Sequence, residues 1–119
     1  MTIHERPVGD VTVIDIGGRI TVQDGADMFR EAVQRLVNQG RLKLVVNLHE
    51  VPYIDSTALG EIVRAFTTTT RRGGSLKLLN LTTRVHDLLA LTMLLPVFDS
   101  FDDEAKALAS FGRPPAEQA

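Results

Sequence analysis

An α/β domain is what this sequence predicts: a mixed sheet of four to five strands with about four helices, mainly on one face. Three observations predict it. The hydrophobic period changes from two residues to 3.6 and back several times along the chain. A nearly continuous apolar run, Leu42-Lys43-Leu44-Val45-Val46-Asn47-Leu48, follows the first helical segment, as a buried parallel strand would. The glycine pairs Gly17-Gly18 and Gly73-Gly74 punctuate the boundaries. With 119 residues, 44% of them hydrophobic, the chain can fill one core but not two. Residues 1–111 are therefore expected to form one domain. Residues 112–119, Gly112-Arg113-Pro114-Pro115-Ala116-Glu117-Gln118-Ala119, have nothing to bury and are expected to form a disordered tail.

Taken in order, Val11-Thr12-Val13-Ile14-Asp15-Ile16 alternates between apolar and polar residues and predicts a half-buried strand. Thr2 to Arg6 is expected to pair with it through the turn signal Pro7-Val8-Gly9-Asp10. From Asp24 onward Phe29, Ala32, Val33, Leu36 and Val37 fall on one helical face, and Gly40 supplies the stop. The apolar run from Leu42 to Leu48 completes a β-α-β unit. His49-Glu50-Val51-Pro52-Tyr53-Ile54 carries a proline that cannot donate to a sheet, which predicts a strand-to-helix loop. A second helix follows, with Leu59, Ile62, Val63 and Phe66 on its inner face, ending near Arg71-Arg72-Gly73-Gly74. Thr67 to Thr70 are expected to face solvent or to fray at its end, and Arg71 and Arg72 to interact with that end. Ser75 to Asn80 is a further core strand. Thr82 or Thr83 then caps a third helix with Val85, Leu88, Leu89 and Thr92 inward. Val97 to Phe101 is a short stretch after Pro96, and Asp102-Asp103-Glu104 opens a last helix through Leu108.

Composition excludes several function classes. The 13 basic and 15 acidic side chains leave a net charge of −2, so electrostatics provides no reason for direct nucleic-acid binding. Aromatic residues make up 5% and none is Trp, which leaves little for base stacking. The absence of cysteine removes disulfides, thiolate catalysis and thiolate metal sites. No run approaches the roughly 20 apolar residues of a membrane span, and Met1 to Pro7 lacks an apolar signal core. A cytoplasmic protein without membrane insertion is expected. His4, His49 and His86 are scattered without paired ligands, so no metal is expected. The glycine pairs lack the spacing and lysine of a phosphate-cradling loop, so no nucleotide and no cofactor is expected. Nothing pairs a nucleophile with a base, and the chain is expected not to be an enzyme. No pattern specifies an oligomeric state.

Tyr53-Ile54-Asp55-Ser56-Thr57-Ala58-Leu59-Gly60 is where small, hydroxyl-bearing residues interrupt two apolar elements. It falls at a helix N-terminus, where free backbone N–H groups and the positive dipole end accept an anion, including a phosphate on a hydroxyl. Ala58 and Gly60 would keep the surface low enough for another protein's backbone to approach. Physics alone favours reading Asp55 or Ser56 as a simple N-cap and Thr57 as an ordinary first-turn residue.

The segment resembles the signature of the sulphate transporter and anti-sigma antagonist (STAS) domain family, usually apolar-Asp-Ser-Ser/Thr-Gly-Leu-Gly. Gly18-Arg19-Ile20 before a helix, Leu44 to Leu48, Gly73-Gly74 before Leu76, and Val85-His86-Asp87-Leu88-Leu89-Ala90-Leu91-Thr92 with Phe98 beyond follow in family order. The resemblance spans most of Val11 to Leu108 and implies a STAS domain over residues 1–111. It implies an anti-sigma factor antagonist that binds an anti-sigma factor serine kinase, releases the sigma factor, and is inactivated when that kinase phosphorylates Ser56. A serine phosphatase would reverse the step. Thr57 is the alternative acceptor. Ser56 is preferred because it is expected at the exposed cap, with Thr57 held in the first turn. Asp55, Ser56, Thr57, Ala58, Gly60 and Thr21 are the implied partner contacts. Three positions depart from the family pattern: Ala58 replaces a glycine, Thr21 stands where many kinase substrates have an acidic residue, and Met93 stands where a glycine often follows Leu-Thr. Met93 is expected either to touch a partner or to fill a gap. The resemblance also admits a constitutive subunit of a lipid-transporting ABC complex, with Ser56 in a permanent contact and never modified.

Overall fold

Residues 1–112 are described by a computed structural model. The expectation of a disordered tail falls, from Arg113 onward, outside the described residues. Strands β1 (Thr2–Val8) and β2 (Val11–Gly17) form an antiparallel hairpin with Val8 opposite Val11. Here the turn is tighter than expected, because β1 runs on through Pro7. As the edge strand it can leave the missing donor unpaired. Helix α1 (Ala26–Asn38) buries Ala26, Phe29, Ala32, Val33, Leu36 and Val37. It ends where Gly40 takes φ +79°, its N–H reaching the Val37 carbonyl while Arg41 N–H reaches Leu36.

Strand β3 (Lys43–Glu50) lies at the centre of the sheet, parallel to β2, and the sheet order is β1-β2-β3 followed by β4 (Ser75–Leu79) and β5 (Ser100–Phe101). His49 and Glu50, expected in a loop, remain in the strand. A register shift after Asp15 brings Gly17 opposite Glu50 and prolongs the pairing. Between these strands come α2 (Ser56–Arg71), α3 (Thr83–Leu91) and a 3-10 turn at Leu95–Val97, and α4 (Glu104–Ser110) closes the domain. β3, β4 and β5 are parallel neighbours.

The sheet separates two cores of unequal size. On one face Ile14, Ile16, Leu44, Val46, Leu48, Leu76 and Leu78 pack against α1, α2 and α3. On the other, Val11, Val13, Val45 and Leu79 meet Ala107 of α4. Three helices on one face and one on the other agree with the predicted arrangement. This second core also explains why β2 is buried on both sides rather than half-buried. Each fully buried Leu, Ile or Phe contributes about 1.5–3 kcal/mol relative to exposure, so the larger face carries most of the stability.

Threonines 67 to 69 correct an expectation. Thr69 is fully buried and its hydroxyl donates to the Ala65 carbonyl at 2.7 Å, while Thr67 donates to Val63 at 3.0 Å. Satisfying the hydroxyl on the preceding turn lets a threonine enter the core. Thr82 does occupy the N-cap position of α3, but its hydroxyl donates to the Val51 carbonyl at 2.8 Å instead of capping. Thr92 lies beyond α3 and is exposed.

Polar side chains hold the second face together. The Arg6 guanidinium donates to Asp15 at 3.1 Å and to Glu104 at 2.6 Å, tying β1 to β2 and α4. The Asn47 amide adds a donor to Asp15 at 2.8 Å. Asp15 is held below the usual carboxylate range, chiefly by the hydrogen bond from Arg6. Lys77, 7% exposed, donates to the Ser110 hydroxyl at 2.7 Å and stacks 4.5 Å from the Phe111 ring centre. Burial pushes its pKa down.

Candidate functional site

The site forms where two parallel strands end side by side. Beyond β2 and β3 the chain continues as two paired loops: Gly18 N–H donates to Glu50, Ile20 N–H to Tyr53, and Asp55 N–H back to Ile20. Ile20 and Ile54, both buried, form a parallel bridge. The β2–α1 loop is therefore laid against the start of α2, a position fixed by backbone and core together.

Asp55 joins them. It is the N-cap of α2, with one carboxylate oxygen accepting from Ala58 N–H at 2.8 Å. Its other oxygen accepts from Val22 N–H, also at 2.8 Å, across the gap to the β2–α1 loop. These backbone donors, Ala58 first, hold the carboxyl below its ordinary pKa. Thr21 shapes the same loop, its carbonyl accepting from Asp24 and Ala26 and its hydroxyl accepting from Asp24 N–H at 3.1 Å. Gly25 follows at the N-cap of α1 with φ +100°, where a side chain would also collide with Met1.

The remaining expected site residues divide. Ser56 is exposed but is the first residue inside the helix, since Asp55 takes the cap. Thr57 lies in the first turn of α2, as expected, and is exposed as well, so exposure alone does not separate it from Ser56. Ala58 is fully buried, so it lies beneath the proposed contact surface and cannot form part of it. Gly60 is exposed with open space around it, leaving a bare patch on α2. Met93 does not fill a gap: it is 83% exposed, at φ +60°. Met93 N–H reaches Ala90 and Leu94 N–H reaches Leu89, so it occupies the left-handed position that ends α3, which accounts for a preference for glycine there.

Two cavities of about 390 Å³ each flank Tyr53. One is lined by Arg19, Thr21, Val22 and Asp55, the other by Asp55, Ser56, Arg84 and Leu91, and Tyr53 borders both. Tyr53 also carries a guanidinium from each side of the site, Arg19 at 5.0 Å from the ring centre and Arg84 at 5.5 Å. Val22, 61% exposed, and Leu91, 82% exposed, supply apolar surface. Tyr53, Arg84, Val22 and Leu91 were not singled out from the sequence. The position of Tyr53, the chain's one tyrosine, two residues before Asp55 was the available signal.

The histidines lie elsewhere. His4 and His49 share a shallow polar hollow on the second face with Asp15 and Asn47, and His86 sits on α3 with Nδ1 3.4 Å from Asp87. Among the described residues no three potential ligands cluster. Nor is any helix among them long and apolar enough to cross a membrane.

Comparison with known proteins agrees with this architecture. A Bacillus subtilis (strain 168) protein, the anti-sigma-B factor antagonist, is 40% identical over 86 residues, covering 72% of this chain and 77% of the relative. A Thermotoga maritima crystal structure superposes with a TM-score of 0.88 at 26% identity, covering 93% of this chain and 95% of that one. The anti-sigma factor antagonist SpoIIAA, solved in unphosphorylated and in phosphorylated Bacillus forms, shares the fold. Its unphosphorylated form has a TM-score of 0.74 at 15% identity over 95% of this chain and 100% of that one. The STAS domain model matches residues 4–107, and this chain belongs to the STAS domain family.

Proposed function

We propose that this chain is an anti-sigma factor antagonist, a binding protein and not an enzyme, whose contact with an anti-sigma factor kinase ends when Ser56 is phosphorylated. The observation that carries this reading is the exposed Ser56 hydroxyl at the first residue of α2, directly after an Asp55 immobilised by two backbone N–H groups. The name of the Bacillus subtilis relative supports the antagonist role, and a phosphorylated SpoIIAA supports modification as the switch.

In the modification, the Ser56 oxygen attacks the γ-phosphorus of kinase-bound ATP. The new O–P bond forms as the bond to ADP breaks, and the hydroxyl proton passes to a kinase base. A helix start accepts the product without unfolding, because its free N–H groups favour anions. The unmodified surface, with Asp55, Ser56, Thr57, Gly60 and Thr21 around the exposed Val22, is the docking face. A phosphate adds close to two negative charges beside Asp55. Leaving such a charge unpaired in an interface costs about 2–5 kcal/mol, and about 1.4 kcal/mol is tenfold in affinity. Binding therefore falls by more than tenfold, and a serine phosphatase restores it.

The test is to incubate the protein and ATP with the anti-sigma factor kinase of its host and to map the product by mass spectrometry. One phosphate on Ser56 is expected, absent in Ser56→Ala and retained in Thr57→Ala. A phosphate on Thr57, or none at all, overturns the assignment. The second outcome would instead fit a constitutive subunit.

A further inference from the structure

We infer that Arg84, near the start of α3, forms with Tyr53 a receptor for the phosphoryl group carried by Ser56, so that the modified protein holds its own phosphate between α2 and α3. This rests on the reading of Ser56 as the acceptor and extends it from where the phosphate is attached to where it is held. The cavity of about 390 Å³ bordered by Ser56, Tyr53 and Arg84 supplies the room. Thr57 does not line it.

The chemistry of Arg84 suits the task. Its guanidinium lies over the Tyr53 ring, 5.5 Å from the ring centre, and makes no ion pair or side-chain hydrogen bond among the described residues. A cation held over a ring keeps its N–H groups unspent, in the fork that matches two phosphate oxygens. The charges around Ser56 make that cation necessary. Asp55 and Asp87 border the same cavity, and each repels a dianion. Asp55 has both oxygens occupied by the Val22 and Ala58 N–H groups, and exposed Asp87 faces His86 at 3.4 Å, so neither is offset by a lysine or arginine. Arg84 is the cation in that cavity. Arg19 also lies over the Tyr53 ring, at 5.0 Å, but it lines the other cavity, which lacks Ser56, and so provides a matched control.

The experiment installs phosphoserine at position 56 during translation, so that its outcome is independent of any kinase. The second ionisation of the phosphate is then followed by phosphorus-31 NMR across pH. In the otherwise wild-type chain it is expected below the value of about 6 for free phosphoserine. Arg84→Gln is expected to raise it by about half a unit, the size of one partly exposed charge pair. Arg19→Gln is expected to raise it by less than half as much. Identical titrations for wild type and Arg84→Gln, or a larger effect from Arg19→Gln, overturn the inference. Both arginines are exposed, so the variants keep the fold, which their amide spectra will verify. Identical titrations would remove the receptor and leave the switch standing. A kinase that ignores Ser56 would remove the switch and leave the titration interpretable.

Discussion

Asp15 and Asp55 are both carboxylates held below their ordinary pKa, yet they are satisfied in opposite ways. Asp15, within β2, takes its donors from the side chains of Arg6 and Asn47, and through Arg6 it reaches Glu104 of α4. Asp55, at the end of a loop, takes its donors from the backbone of Val22 and Ala58. A network of side chains ties together elements far apart in sequence and serves stability. A carboxylate bound to backbone fixes the course of two loops and leaves the neighbouring hydroxyls of Ser56 and Thr57 exposed and free of side-chain hydrogen bonds among the described residues. The first region holds the molecule together, and the second is the face proposed to meet a partner.

That contrast can be broken by mutation. The largest effect is expected from Ser56→Asp, which should weaken binding to the kinase by more than tenfold while the thermal midpoint stays unchanged. Calorimetric titration beside a melting curve checks both halves. Asp15→Ala is the converse. It strips a charged acceptor from Arg6 and should cost about 1–3 kcal/mol of stability in a denaturant titration, with affinity for the partner unchanged. A loss of affinity without a loss of stability would erase the distinction.

Asp55→Ala sharpens it, because this residue belongs to both accounts. Amide exchange at Ala58 and Val22 should accelerate by about tenfold as both N–H groups lose their acceptor, with binding weakened alongside. Lowering the pH tests both carboxylates together. Their folded pKa values lie below the unfolded value of about 3.9, so their stabilisation is complete above that pH and is lost as pH falls through the folded values. Stability measured from pH 6 to pH 2 should therefore fall less steeply in Asp15→Asn than in wild type. The smallest effect is expected from Met93→Gly. A left-handed methionine costs roughly 1–2 kcal/mol, partly offset by the entropy of glycine, so the variant should be more stable by about 0.5–1 kcal/mol.

Much of the frame was legible because it depends on local pattern. The run from Leu42 to Leu48 became the central strand, Phe29 to Val37 became the buried face of α1, and Gly40 ended it. Asp-Ser before an apolar helix pointed to the candidate site, though not to the division of labour within it. Whether Asp55 or Ser56 takes the cap depends on a single residue of phase. The burial of Ala58 was implicit in the helical period, since Ala58, Leu59, Ile62, Ala65 and Thr69 share one face. Reading a polar threonine run as exposed concealed it at Thr69, whose hydroxyl is satisfied by its own helix. The contact of Tyr53 with Arg84, and the bond from Val22 N–H to Asp55, join residues about thirty positions apart. No periodicity reports such contacts. They follow from the parallel pairing of the β2 and β3 ends and from the placement of α3 across a cavity from the start of α2.

Under the proposed function, a charge on the Ser56 oxygen decides whether a partner can occupy the start of α2. This is tested most directly by calorimetric titration of the anti-sigma factor kinase with protein carrying phosphoserine at 56 and with unmodified protein, under the same salt and pH. An affinity lower by more than tenfold for the phosphorylated protein is predicted. Equal affinities for the two forms would contradict it.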